Sequence, residues 1–354
     1  MTTNSLDSNL CGYRLVAELE RGDRTVVYRA QPAERLGAKA ETVVIKLLVA
    51  EYPTYEELLN FRHQYTIAKN LDLLGVVRVY SLETCDRGYA LVMEDFAGVS
   101  LARYRQSACL PVVDVLEIAI QLADTLHALG RERIVHKDIK PANILINPAT
   151  KQVKLIDFGI ATQLPHETQQ WLSPNLLEGT LAYLAPEQTG RMNRGLDYRT
   201  DFYGLGVTLY ELLTGKLPFV AEDPIDLIHA HLERVAVSVD RVNSDVPSVV
   251  AQIVAKLMAK KAEDRYQSAL GLKYDLELCL ELWQTTGTVA EFELGARDLR
   301  DRFTIPERLY GRELEVKTLL NACDRVATGN SELVLVAGSS GIGKTALIKE
   351  LHKP

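Results

Sequence analysis

The chain has 354 residues, a length that suggests two domains or one large domain with an appendage, and its 47% hydrophobic and 25% charged residues are an ordinary globular balance. A net charge of −7 gives bulk electrostatics no preference for nucleic acid or an anionic membrane, and no run approaches the roughly 18 apolar residues of a membrane span. Five cysteines without a CxxC pair argue against a zinc site and a disulfide framework, and with a polar N-terminus lacking a signal region they fit a reducing, cytoplasmic setting.

Taken in chain order, residues 1–12 read as an N-terminal arm. From Tyr13 to about Phe96 the segments YRLVAEL, TVVYRA, ETVVIKLLVA and GYALVMEDF are short and rich in β-branched or apolar residues, so they predict strands. Between them, TYEELLNFRHQYTIAKNLDLL spaces its apolar residues as a helix does. From about 112 to 285 helical patterns dominate, in VVDVLEIAIQLADTLHALG, DFYGLGVTLYELLTG, PIDLIHAHLERV and VPSVVAQIVAKLMAK. The first is expected to stop at Gly130. A β-rich part before a helical part implies two lobes with a cleft between them. Residues 286–306 have weak periodicity and end at Pro306, and read as a linker. Beyond it come a helical pattern, ERLYGRELEVKTLLNACDRVATG, a buried-type strand, LVLVAG, and a glycine-rich loop.

The chemistry concentrates in IVHKDIKPANILI (134–146) and KLIDFGIA (154–161), apolar segments interrupted by carboxylates and an amide. Buried charge is costly unless it is paired or used. Asp138, Lys140 and Asn143 share one short loop, and Asp157 follows in the second segment. An Asp and an Asn can hold Mg²⁺ through hard oxygen ligands. A separate Asp can accept a hydroxyl proton, and a Lys can neutralise a migrating phosphoryl group.

With these motifs in place, residues 13–285 resemble the eukaryotic-type serine/threonine protein kinases. His136-Lys137-Asp138 matches the catalytic loop, Asp157-Phe158-Gly159 the metal-binding triplet, Ala185-Pro186-Glu187 the end of the activation segment, and Val43-Val44-Ile45-Lys46 the third-strand lysine motif. Asp201 and Gly206 match the long central helix of the C-lobe, and Arg265 the arginine that pairs with the Glu187 position. The resemblance implies an α+β, bilobal kinase fold, with an N-lobe over 13–95 and a C-lobe over 97–285. It implies ATP and Mg²⁺ as cofactors and protein hydroxyls as substrates, with autophosphorylation included. By it, Asp138 orients and deprotonates the acceptor hydroxyl, Lys140 stabilises the transferring phosphoryl, Asn143 and Asp157 ligate Mg²⁺, and Lys46 holds the α and β phosphates. Met93 becomes the gatekeeper and Glu94, Asp95 and Phe96 the hinge, while Leu19, Val27, Val44 and Leu145 sandwich adenine and Gly22 belongs to the glycine-rich loop. Lys140 and Thr180 mark the serine/threonine type. His136, Met93 and Phe158 are read as packing residues that shape the site.

Several positions depart from the pattern. Of the three loop glycines only Gly22 survives, with Glu20 and Thr25 at the other two. Gln64 falls where a glutamate should pair with Lys46, unless Glu56 or Glu57 does so in another helix register. Val44 replaces the usual Ala and narrows the adenine slot. Lys137 replaces Arg, which removes a bidentate partner for phosphate on Thr168 or Ser173. Two readings follow, an active kinase and a non-catalytic, kinase-fold regulator.

Gly338-Ser339-Ser340-Gly341-Ile342-Gly343-Lys344-Thr345 fits the phosphate-cradling G-x-x-x-x-G-K-[ST] loop. By that motif the backbone at Gly338, Gly341 and Gly343 holds phosphates, Lys344 reaches the outer ones and Thr345 binds Mg²⁺. With RLYGRELEVKTLLNA upstream, residues 307–354 resemble the start of an AAA-type P-loop ATPase, and the order of modules resembles cyanobacterial multidomain kinases. The tail is expected to be a truncated α/β fragment whose unfinished sheet edge could serve for association.

Overall fold

The computed structural model describes residues 9–22, 24–33, 42–48, 54–85, 88–105, 109–164, 181–189, 196–299, 311–327, 329, 331–339 and 344–349. Its N-terminal lobe is a six-stranded antiparallel sheet, in the order β1 (Asn9–Leu10), β2 (Tyr13–Arg21), β3 (Thr25–Pro32), β4 (Val43–Leu48), β6 (Gly88–Glu94) and β5 (Val79–Cys85). The sheet begins upstream of Tyr13, because Asn9 and Leu10 pair with Arg14 and Tyr13 across a two-residue turn. Cys11 and Gly12 form that turn with φ of 50° and 83°, the left-handed pair that a tight hairpin requires.

One sheet face covers a small core of Leu15, Ala30, Val43, Ile45, Ala90 and Val92. The alternation of β4 puts Val44 and Lys46 on the opposite, cleft-lining face. The cysteine reading needs correction. Cys11 and Cys85 are joined as a disulfide with their Cα atoms 5.8 Å apart. Cys11 lies in the turn that follows β1 and Cys85 ends β5, the two outer strands of the sheet, so the curled sheet brings together residues that are 74 positions apart in sequence.

Helix α1 (Tyr55–Ala68) crosses the lobe, and Thr54 and Glu57 close a capping box at its start. After β7 (Val99–Ser100) and α2 (Leu101–Tyr104), the chain enters the helical lobe through α3 (Val112–Arg131). That helix runs through Gly130 and breaks at Arg133, which takes φ of 59°, so the stop lies beyond the expected glycine. Short strands follow: β8 (Ile134–Val135), β9 (Ile144–Ile146), β10 (Val153–Leu155) and β11 (Thr162–Gln163). They pair β7 with β9, β9 with β10, and β8 with β11.

The lobe is built around α4 (Arg199–Thr214), of whose residues 200–213 all are buried. Its Gly206 lets α7 (Ser248–Leu257) approach closely, since a Cβ there would lie 2.8 Å from Leu257 Cβ. Helices α5 (Pro224–Glu233), α6 (Val239–Val242) and α8 (Ala269–Thr286) complete it. Beyond α8, residues 288–299 have no regular secondary structure, yet Asp298 accepts bonds from the backbone of Gln267 and Ser268 and ties the segment to the helical lobe.

In the tail, α9 (Glu313–Ala327) and α10 (Lys344–Lys349) form as expected. The expected strand over LVLVAG does not. Residues 333–338 join no ladder among the described residues, and Leu333 and Leu335 are 95% and 88% exposed. A buried-type strand needs a paired neighbour, and none lies beside it among the described residues.

Candidate active site

The catalytic loop is shaped by one buried carboxylate. Asp201, on α4, accepts the backbone N–H of His136 at 2.8 Å and of Lys137 at 2.7 Å. These bonds hold Lys137 at φ of 67°, a left-handed conformation that a non-glycine residue adopts only when its surroundings enforce it. Burial pushes the Asp201 carboxyl up, while His136 and Lys137 act in the opposite direction. His136 is fully buried, bonds Ile156 O at 3.0 Å and meets Phe158 edge-on with ring centroids 4.7 Å apart, which is a packing role.

Asp138 projects from this loop with its two oxygens in different states. Oδ2 accepts from Asn143 Nδ2 at 2.7 Å and from Lys140 Nζ at 2.8 Å. Oδ1 is buried and has no hydrogen-bond partner. An orphaned buried acceptor is costly in a folded protein, which sets this oxygen apart from its fully partnered neighbour Oδ2. Because Asn143 spends its amide nitrogen on Asp138, its oxygen is turned the other way.

Asp157, also left-handed at φ of 67°, meets Lys46 Nζ at 3.0 Å. Burial disfavours its charge, but Lys46, with smaller help from His136 and Lys140, holds the carboxyl below the usual carboxylate range. Lys46 Nζ also reaches Gln64 Oε1 at 3.4 Å, so the helix register that places Gln64 opposite Lys46 is the one adopted. Glu57 is used elsewhere, in the capping box and toward Arg24 at 3.4 Å. An amide oxygen from Asn143 and a carboxylate from Asp157 are hard donors that suit Mg²⁺, an ion that keeps several waters and phosphate oxygens of its own. Among the described residues no three of His, Cys, Asp and Glu gather as a metal set.

Above this floor, Leu19, Val27, Val44 and Leu145 are all half-buried, and Met93 is buried opposite Val44 in the β4–β6 ladder. Gly22 lies in the β2–β3 turn, where its N–H donates to Thr25 O at 2.9 Å. The acidic hinge residues Glu94 and Asp95 are both paired with basic side chains. Glu94 takes Lys154 Nζ at 2.6 and 2.8 Å, and Lys154 in turn lies over Phe96. Asp95 takes Arg29 at 2.6 and 3.1 Å. Burial opposes its charge, but bonds from Arg29, Thr42 and Ala97 keep its carboxyl low.

Three features were not legible beforehand. His63 Nε2 donates to Ala161 O at 2.7 Å and fastens α1 to the segment after Asp157-Phe158-Gly159. Lys137 Nζ donates to the Thr162 hydroxyl, so the residue that replaces the usual arginine is engaged with β11. Tyr183 OH and Arg105 both bond the Glu211 carboxylate close to Asp138. The position of Glu211, inside a helix that is buried along most of its length, was the one available signal, since a carboxylate there demands partners. Thr168, Ser173, Thr180, Gly341 and Gly343 lie outside the described residues, as does the side chain of Thr345. Lys344 Nζ donates to Gly338 O at 2.8 Å and Ser339 O at 2.7 Å.

A bilobal architecture with a lysine, two aspartates and an asparagine gathered at the interlobe cleft defines a class, and comparison with known proteins agrees. The family model described as "Protein kinase domain" matches residues 13–275, and the chain belongs to that family. A second, "AAA ATPase domain", matches residues 308–354. The chain is 35% identical over 242 residues to the serine/threonine-protein kinase PrkC of Bacillus subtilis, covering 68% of this chain and 36% of that protein. It is 40% identical over 194 residues to hybrid signal transduction histidine kinase G of Dictyostelium discoideum, covering 49% of this chain and 6% of that protein. It therefore spans well under half the length of these relatives. The crystal structure of the Mycobacterium tuberculosis PknI kinase domain shares the fold, with a TM-score of 0.57 at 20% identity over 77% of this chain and 98% of that one. Among the described residues no helix is long and apolar enough to cross a membrane.

Proposed function

We propose that residues 13–285 form an active serine/threonine protein kinase, transferring the γ-phosphoryl group of ATP to hydroxyls on proteins, its own chain included. The observation that carries this is the divided state of Asp138. One oxygen is fixed by Asn143 and Lys140 and the other is buried, bare and turned to no partner. That arrangement orients a base toward an acceptor hydroxyl at Oδ1 while keeping Lys140 beside the transferring group. Lys46 stands ready for the α and β phosphates, with Asp157 holding it meanwhile. Asn143 and Asp157 would hold Mg²⁺, which when bound neutralises charge on the phosphates. Leu19, Val27, Val44, Met93 and Leu145 would enclose the adenine, and the backbone of Glu94 to Phe96 would line its edge.

For the tail, we propose phosphate binding by Gly338–Thr345 as part of a P-loop ATPase module, supported by the match over residues 308–354 and by Lys344 heading α10. The exposed Leu333 and Leu335 support pairing of this segment with a further strand. A multidomain signalling protein working in the cytoplasm, where ATP is available, suits both modules.

Incubation of the purified chain with labelled ATP and Mg²⁺ tests the reading. Label on the chain or on a generic protein acceptor is expected. A nucleotide-dependent rise in Tm with no label under any Mg²⁺ or Mn²⁺ condition would instead favour the non-catalytic regulator, toward which the Gln64 substitution already points.

A further inference from the structure

The carbonyl of Leu19 lies outside the β2–β3 ladder. Glu18 pairs with Tyr28 and Glu20 with Val27, so Leu19 is the extra residue of a β-bulge and faces no partner on β3. Its oxygen is taken from the other lobe, by Arg103 Nη1 at 3.1 Å. Arg103 stands on a fixed base. The N-cap Ser100 accepts the Arg103 N–H at 3.4 Å, and the neighbouring Leu101 is fully buried. The strand that precedes this helix, β7, pairs Ser100 with Leu145, the floor of the adenine space. A guanidinium therefore spans the mouth of the cleft and joins the floor that carries Leu145 to the roof that carries Leu19.

We propose that Arg103 is a nucleotide-positioning residue that clamps the β2–β3 roof over the adenine. The roof needs such help. With Glu20 and Thr25 where the family has glycines, side chains replace the bare, freely turning backbone that lets such a loop close over phosphates. A charged donor on a carbonyl freed by a bulge supplies that closure from below. The clamp acts through Leu19 on the adenine, so it makes no distinction between nucleotides that differ only in their phosphates. The inference rests on the nucleotide-site reading given above.

The test uses the full chain with Arg103→Ala, Arg103→Lys and, as a reference, Lys46→Ala. Affinities for adenosine and for Mg·ATP are measured by calorimetry, and hydrogen exchange of residues 17–27 is followed without nucleotide. Arg103→Ala is expected to raise amide exchange in that hairpin. It should weaken adenosine and Mg·ATP by the same factor, about 3- to 10-fold, the scale of one exposed hydrogen bond. Where turnover is measurable, the loss falls on KM for ATP more than on kcat. Arg103→Lys, which keeps a donor, should recover part of each effect. Unchanged exchange or unchanged affinities would overturn the clamp. So would a loss confined to Mg·ATP, which would mean direct contact with phosphate. Lys46→Ala separates the two readings. If Lys46→Ala weakens Mg·ATP while Arg103→Ala changes nothing, the clamp fails and the nucleotide site stands. If the unaltered chain binds neither ligand, the site reading fails and the clamp with it.

Discussion

On the floor of the cleft each chemical group is fixed by a buried neighbour, whereas on the roof the fixing is sparse and borrowed. Asp201 holds the catalytic loop through two backbone N–H groups, Asn143 and Lys140 fix one oxygen of Asp138, and His136 and Phe158 pack beneath. Across the cleft, Lys46 has an amide at 3.4 Å where the family has a carboxylate, and it leans on Asp157 from the floor at 3.0 Å. The bulged strand β2 is held by Arg103, again from below. The two surfaces thus differ in where their order comes from. The floor is organised by α4, buried along most of its length, and the roof by contacts that cross the cleft.

If that contrast is right, the largest effect comes from the bare acceptor oxygen of Asp138. Asp138→Asn keeps the shape and the neighbours but cannot take a proton, and it should lower phosphotransfer by about 10²- to 10⁴-fold. Calorimetry should find Mg·ATP affinity within about twofold of the unaltered chain. Label persisting near the original rate would remove Asp138 from its role. Next in size is the support of the floor. Arg265 is fully buried, and it donates to both oxygens of Glu187 at 2.7 and 2.8 Å and to three backbone carbonyls, of Ala259, Arg199 and Lys260. Removing one partner of a buried pair strands the other, so Arg265→Ala should cost about 3–5 kcal/mol in urea unfolding. A cost below about 1 kcal/mol would show that the floor does not depend on this pair.

The same contrast explains what could be read from the sequence. The floor was legible because its polar residues interrupt apolar strands at fixed spacing. Asp138, Lys140, Asn143 and Asp157 each stand inside a run that otherwise predicts burial. The roof was legible in its strands and in Val43-Val44-Ile45-Lys46, and beyond them as a set of departures from a pattern. What fixes it arises from geometry that spacing does not encode. The Arg103 contact depends on a bulge at Leu19, and the Cys11–Cys85 pairing on the curl of a whole sheet. Strand β5, VYSLETC, mixes polar and apolar residues in an order that declares little until β6 pairs with it. LVLVAG shows the reverse, since its composition predicts a buried strand while the described residues offer no neighbouring strand to make it one.

A smaller effect comes from a titration beneath the floor. Burial, with Lys260 beside it, pushes the His231 imidazole down from 6.5 to about 4. Tyr203 OH bonds its Nδ1 at 2.9 Å, and Phe219 and Tyr203 meet its ring edge-on. The unfolded imidazole takes up a proton near pH 6.5, the folded one only near 4. Stability is therefore complete above 6.5 and falls as pH drops toward 4, at up to about 1.4 kcal/mol per pH unit. Between pH 6.5 and 5.5 the chain should lose about 1 kcal/mol more than His231→Gln does. Equal losses would mean that the imidazole is protonated in the fold after all.

The smallest effect, and the one that bears most directly on the roof, is Gln64→Glu. Gln64 is only 3% exposed, so the new carboxylate loses hydration, which alone would destabilise the lobe. Against that stands Lys46 Nζ, 3.4 Å from Gln64 Oε1 and 3.0 Å from Asp157 Oδ2. If the pair forms, Lys46 gains a partner on its own lobe and Asp157 is freed for the metal, and turnover should rise about two- to fivefold with little change in Tm. If burial of the charge prevails, Tm falls and turnover does not improve. In that case the missing glycines at Glu20 and Thr25, not the missing carboxylate, limit the roof. Restoring glycine at both positions in the Gln64→Glu background then separates the two. A gain that needs all three changes would show that helix and loop act on the nucleotide as one surface.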